Sequence, residues 1–299
     1  MILPLPDLPS FDYIRPKSYQ QVSELLHQQS EDVRPFMGGT DLFVQMRDQI
    51  IAPKILVDVK LLPGMISIEY DHEVGLHLGA AVNLNAIAKH PEVIEYYPLL
   101  VEAANSVASY QLRNRATIGG NLCNASPAAD MAPSLLILEA KLIAVGLNGE
   151  RVIPVNEFFR APGENALERG ELLKRIEIKP PPEGWFGKYL KLGRNAEGDL
   201  AIAGVAVLGF PDQTAESGYR FRIALSSVAP TPIQALKAEE ILNQGPISEE
   251  SIEAAAITSR DACQPIDDVR ASGNYRKAMV EVLIRRGLEE VWSAIQVGG

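Results

Sequence analysis

The sequence predicts an α+β protein of two domains. Three observations carry that reading: an opening alternation of helix and strand, a proline-rich break at 179–184, and a run of strands followed by helices beyond it. A helical pattern runs from Ser18 to about Gln28, with Val22, Leu25 and Leu26 on one face, and the short apolar segment 33–37 after it reads as a strand. Gly38-Gly39-Thr40-Asp41 opens a second helix to about Gln49, and the β-branched run 54–59 reads as the next strand. The opening order is therefore αβαβ. Residues 66–82 predict two strands around a turn at Asp71 to Glu73, two helical segments follow through Val107 with Pro91 and Pro98 as breaks, and 141–145 is a further strand.

Lys179-Pro180-Pro181-Pro182-Glu183-Gly184 is the domain boundary, because consecutive prolines continue neither a helix nor a central strand. It divides the chain into domains at 1–180 and 185–295. Beyond it lie strand patterns at 186–193, 200–210 and 219–228, then helical patterns at 236–243, 248–262 and 274–295, which predict a smaller α+β domain.

Composition narrows the function classes. With 46% hydrophobic and 22% charged residues, the 299-residue chain has material for a real core, and no apolar run approaches the roughly 20 residues needed to cross a bilayer. The N-terminus lacks a basic region followed by an apolar one, so a cytoplasmic address is expected. A net charge of −10 argues against nucleic acid as a partner, since that affinity comes from clustered Lys and Arg. It leaves room for a bound dinucleotide, whose phosphates backbone amides can hold. Cys123 and Cys263 stand far apart, and the four histidines show no ligand spacing, so no metal site is expected.

Two segments carry the chemistry. In Pro35-Phe36-Met37-Gly38-Gly39-Thr40-Asp41-Leu42, an apolar strand end leads through two glycines and a hydroxyl residue into a helix. Glycines admit positive φ and close backbone approach, so consecutive amides can face a phosphate, with Thr40 placed as N-cap and donor. By itself this segment reads first as a helix-capping turn, and it matches neither the Rossmann fingerprint nor the P-loop. The second segment, Thr117-Ile118-Gly119-Gly120-Asn121-Leu122-Cys123-Asn124-Ala125-Ser126-Pro127-Ala128-Ala129-Asp130, repeats the glycine pair among small and amide side chains. Ser126 and Pro127 fit N-cap and N1 of a following helix, and Asp130, one position past the acidic place of a capping box, is available to accept a hydrogen bond from a ribose or other hydroxyl. Two glycine-pair loops predict two clamps on one long ligand with a central diphosphate. Residue chemistry alone does not separate FAD from NAD or coenzyme A.

The two segments, extended by Leu112-Arg113-Asn114-Arg115-Ala116, together with Lys191-Leu192-Gly193-Arg194, Asp199-Leu200-Ala201 and Asn274-Tyr275-Arg276-Lys277, resemble the FAD subunit of xanthine dehydrogenases and related molybdenum hydroxylases over nearly the whole chain. The resemblance implies a vanillyl-alcohol-oxidase (PCMH)-type FAD-binding domain of two α/β lobes, followed by a smaller C-terminal α+β domain. It implies that residues 35–42 and Thr117, Ile118, Gly119, Gly120 and Asn121 line the FAD diphosphate and adjoining groups, with Asp130 on a polar part of the cofactor. It also implies Val107 and Leu173 as apolar contacts and Lys191 as a basic contact near the flavin, although each is equally at home in a core or on a surface. The iron-sulfur insertion of some relatives is missing.

In such an assembly, substrate is oxidised at a molybdenum cofactor in a large subunit, electrons pass through two [2Fe-2S] clusters in a small subunit, and FAD in this chain collects them for NAD or another acceptor. Thr40-Asp41 after Gly39 favours the xanthine dehydrogenase type. Carbon monoxide dehydrogenase medium subunits commonly carry His or Gln and then Ser there, and other aldehyde or N-heterocycle dehydrogenases are alternatives. No hydrolytic motif occurs and no catalytic residue is expected. Two rivals are a flavin-free assembly scaffold and a stand-alone flavin oxidase, the latter disfavoured by the short C-terminal half.

Overall fold

A computed structural model describes residues 7–29, 31–195 and 198–298. The first lobe holds β1 (Asp12–Ile14), α1 (Tyr19–Gln28), β2 (Val33–Phe36), α2 (Leu42–Arg47) and β3 (Ile55–Asp58), with the strands in a parallel sheet of order β1-β3-β2. Ser18 starts α1 where the sequence predicts, its hydroxyl accepting from the Gln21 amide at 3.3 Å.

The second lobe is built on an antiparallel sheet. It comprises β4 (Ile68–Asp71), β5 (Gly75–Gly79), helices α3 (Leu84–Lys89), α4 (Pro91–Tyr96), α5 (Pro98–Ser106), α6 (Tyr110–Arg113), α7 (Ile118–Cys123) and α8 (Met131–Ile137), then β6 (Lys141–Gly146), β7 (Gly149–Pro154), the short pair β8 (Phe159–Ala161) and β9 (Glu164–Asn165), and β10 (Leu172–Ile178). The sheet order is β4-β5-β10-β6-β7. Pro91 and Pro98 each open a helix from its first turn, so the helical stretch before Val107 holds three short helices, where the sequence predicts two.

The third unit is the expected α+β arrangement: a meander of β11 (Phe186–Leu192), β12 (Ala203–Pro211) and β13 (Tyr219–Ser226), a short β14 (Ile233–Gln234), then α9 (Leu236–Asn243), α10 (Glu249–Asp261) and α11 (Gly273–Gly298). Strand β12 is apolar on both faces, as a strand covered on both sides must be. Ala206, Leu208 and Phe210 join the core of the first domain, while Ala203, Val205 and Val207 pack with Val280, Ile284, Leu288 and Val291 of α11. The segment 179–184 therefore joins two units that press directly together: the Tyr97 hydroxyl donates to the Lys179 carbonyl at 3.1 Å, and Trp185 packs on the first core. No helix among the described residues is long and apolar enough to cross a membrane.

Within the third unit, Glu239 accepts the Ile223 amide at 2.8 Å, and burial pushes its carboxyl up to about 6. A carboxyl raised in the fold binds its proton more tightly there than in the unfolded chain, so it lowers stability as pH rises from about 4.5 through 6. Glu239→Gln keeps the acceptor oxygen and removes the charge. Urea unfolding should show a gain of about 1–2 kcal/mol at pH 8 and almost none at pH 4.

Candidate functional site

A cleft of about 850 Å³ opens between the lobes, lined by the loop after β2, the start of α7, the turn before α8, the approach to β10 and the 198–200 segment. Its size falls within the range of small-molecule and cofactor sites. Pro35, Met37, Gly38, Gly39, Thr40, Asp41, Leu42, Val107, Thr117, Gly119, Gly120, Asn121, Asp130 and Leu173 all line it.

The first glycine loop brings free backbone amides to the cleft. Among the described residues, no acceptor within the chain takes the amides of Gly38 through Leu42. Gly39 has φ +76°, and a Cβ there would lie 2.5 Å from the Phe36 ring. Successive unsatisfied amides in such a turn form a concavity for an anion. Thr40 differs from its expected role: Asp41 occupies the N-cap position of α2 without a side-chain cap, and the Thr40 hydroxyl donates to the Asp41 carboxylate at 3.3 Å. Burial raises the Asp41 carboxyl, and that hydrogen bond opposes the rise.

The second glycine pair does a different job. It lies inside α7, capped by Thr117, and its amides are already taken: Ile118 by the Val82 carbonyl at 3.0 Å, Gly119 by Ala80 at 2.8 Å, Gly120 by the Thr117 hydroxyl at 3.1 Å and Asn121 by the Thr117 carbonyl at 2.9 Å. The second pair therefore offers no free amide, and the expected second clamp cannot work through its backbone as the first would. Gly119 is small because a Cβ would meet the Ala80 oxygen at 2.6 Å, whereas a Cβ on Gly120 would meet only the Thr117 hydroxyl, at 2.9 Å. Asn121 brings a buried Oδ1 with no partner, an acceptor open to a ligand donor.

The two loops are clasped together. A Cβ on Gly38 would overlap the Arg115 carbonyl oxygen, and the Thr117 hydroxyl lies 3.8 Å from the Met37 sulfur. Ser126 and Pro127 form a turn and do not start the next helix; α8 begins at Met131, with Asp130 at its N-cap position.

Three expected contacts stand behind the lining. Phe36 packs with Met46 and Leu56, Ile118 is fully buried in the core, and the Lys191 ammonium donates at 2.8 Å to the lining residue Asp130 and to the Ser106 carbonyl. Asp130, only 4% exposed, also receives the Tyr189 hydroxyl at 2.8 Å. Burial raises its carboxyl, and Lys191 and then Tyr189 oppose that rise. Gly204 makes the space, since a Cβ there would lie 2.7 Å from the Tyr189 oxygen.

Sequence reasoning missed Cys123, Asn124, Ala128, the 165–172 approach and the 198–200 rim. Burial pushes the Cys123 thiol up to about 12, so it lines the cleft as a neutral group. The approach had a legible signal in Gly170 (φ +88°), a turn glycine whose Cβ would press on His27 at 3.1 Å.

A two-lobed α/β domain with free backbone amides on an interlobe cleft defines a protein built for a phosphate-bearing cofactor. Residues 9–181 match the family described as the FAD binding domain in molybdopterin dehydrogenase, and residues 188–291 match the carbon monoxide dehydrogenase flavoprotein C-terminal domain. The chain belongs to this family of molybdenum hydroxylase flavoprotein subunits. It is 31% identical to the carbon monoxide dehydrogenase medium chain of Hydrogenophaga pseudoflava, covering 95% of this chain and 98% of that one. It is 29% identical to the xanthine dehydrogenase FAD-binding subunit of Escherichia coli O157:H7, over 86% and 88% of the two chains. The solved carbon monoxide dehydrogenase of H. pseudoflava superposes with a TM-score of 0.91 at 32% identity, covering 96% and 99%.

Proposed function

We propose that this chain is the FAD-carrying medium subunit of a cytoplasmic molybdenum hydroxylase complex, partnered by a large subunit with the molybdenum cofactor and a small subunit with [2Fe-2S] clusters. The observation that carries the reading is the run of unsatisfied amides from Gly38 to Leu42 on a cleft of about 850 Å³, in a chain that spans nearly the full length of medium-chain relatives. FAD supplies chemistry that no side chain has: it takes electrons arriving singly and hands them on in pairs. The residues present fit it. The amides of Gly38 to Leu42 would hold its diphosphate without a basic side chain, and Asn121 Oδ1 would accept from a hydroxyl or imide N–H. Val107 and Leu173 supply apolar wall, and Gly120 leaves its side of the cleft clear.

The finer reading is a xanthine dehydrogenase type that reduces NAD, supported by Gly39-Thr40-Asp41. The specific alternative is a carbon monoxide dehydrogenase medium chain, favoured by the more complete coverage of that relative. Visible spectroscopy of the purified chain, with chromatography of what denaturation releases, tests the main reading: stoichiometric, non-covalent FAD is expected. A chain that stays colourless after incubation with FAD, alone and with its partners, would defeat it. Turnover of xanthine with NAD against turnover of carbon monoxide with a dye acceptor, in the assembled complex, separates the finer pair.

A further inference from the structure

Arg276, in the first turn of α11, is 2% exposed and lies outside the cleft lining. One of its terminal nitrogens donates to the Ile202 carbonyl at 2.7 Å and the Ser227 carbonyl at 3.2 Å, and the other donates to Asp268 at 2.7 Å. Asp268 in turn takes Arg270 at 2.6 Å, and the paired arginines hold its carboxyl well below the usual carboxylate range against the effect of desolvation. A guanidinium is spent here on backbone carbonyls from two loops, where a buried charge has only this fan of acceptors to replace water.

Both loops lead into the cleft. Ile202 lies just before β12, its amide donating to the Leu192 carbonyl at 2.7 Å, and Gly198, Asp199 and Leu200, which lead into it, line the cleft. Ser227 holds φ +67°, a conformation a non-glycine residue keeps only when its surroundings impose it, and its amide donates to the Pro127 carbonyl at 2.7 Å. Pro127 sits between Ser126 and Ala128, both in the cleft lining. A single buried side chain thus fastens two separate walls of the cleft from behind.

We infer that Arg276 is a positioning residue for the cofactor cleft, holding the 198–202 rim and the 126–129 turn in register without touching the ligand. The inference rests on the FAD reading above, and its test separates the two. FAD titration of the chain would be run with wild type, Arg276→Met, Arg276→Lys and the control Arg260→Ala, which breaks the Arg260–Glu281 pair between α10 and α11. Amide hydrogen exchange of the flavin-free forms would be read alongside.

Arg276→Met should raise the FAD dissociation constant about 10-fold or more, the scale of loss when outer-shell supports of a bound group are removed. Faster exchange should be confined to 198–202, 227–228 and 126–129. Lysine, which cannot reach both carbonyls and Asp268 together, should fall between, and Arg260→Ala should match wild type in FAD affinity. If the methionine variant fails to fold, the lysine variant decides by the same two readouts. Wild-type affinity and exchange at position 276 variants would overturn the clamp. A wild-type chain that takes up no FAD would defeat the cofactor reading instead, and equal losses in Arg260→Ala would reduce Arg276 to general stability and overturn the inference.

Discussion

Gly38→Ala should leave a chain that purifies without flavin. The added Cβ would run into the backbone carbonyl of Arg115, with Ala116 Cα 3.2 Å away, and neither can rotate aside as a side-chain tip would. The loop after β2 and the segment before α7 must therefore separate, and the amides between Gly38 and Leu42 move with them. Overpacking of this kind costs about 1–3 kcal/mol, so the variant should still fold. Flavin-to-protein ratio after gel filtration is the readout, with Gly120→Ala as its complement. At Gly120 the new Cβ meets only a hydroxyl at 2.9 Å, and alanine is favoured over glycine within a helix by up to about 1 kcal/mol. Loss of flavin from that folded variant reports a ligand in the space, and full flavin in both would sink the site assignment.

The second large effect is expected at Lys191. Lys191→Met strands the Asp130 carboxylate in a site where it is 4% exposed, with Tyr189 as its remaining strong donor. Removing one partner of a buried pair destabilises by about 3–5 kcal/mol. Burial already raises the Asp130 carboxyl, and without the ammonium that opposes the rise it goes higher still. An acid whose pKa is raised in the fold destabilises progressively as pH climbs from its unfolded value of about 4 through the raised value. The variant should therefore lose more stability at pH 8 than at pH 5 in urea unfolding; an equal loss at both would mean that Asp130 is already neutral in the wild type.

These two sites also show what a sequence discloses and what it withholds. Local patterns were legible: the helix beginning at Ser18, the helix at 236–243, the meander beyond the prolines, and a glycine turn at 38–39 leading into a helix. What escaped was set by distant partners. The second glycine pair looks like the first, but the Ala80 carbonyl, from a remote stretch, takes the Gly119 amide, and the Thr117 hydroxyl takes that of Gly120. Lys191 and Asp130 lie 61 residues apart, so nothing local reveals that these two expected contacts are each other's counter-ions. Strand β10 was missed for a related reason. A bulge between Leu173 and Arg175 breaks its alternation, and Lys174, Arg175 and Glu177 give it a charged look that only pairing with β5 and β6 explains.

That late strand carries a consequence for the newborn chain. In the order β4-β5-β10-β6-β7, the middle position is filled by the last of the five to leave the ribosome. Until residues 172–178 emerge, β5 and β6 each offer a bare row of amides and carbonyls to any neighbour, the hazard that unpaired strand edges present during synthesis. Leu173, on the same strand, completes the cleft wall only at that moment. A chain cut short before β10 would have the glycine loop but no closed sheet to hold it against.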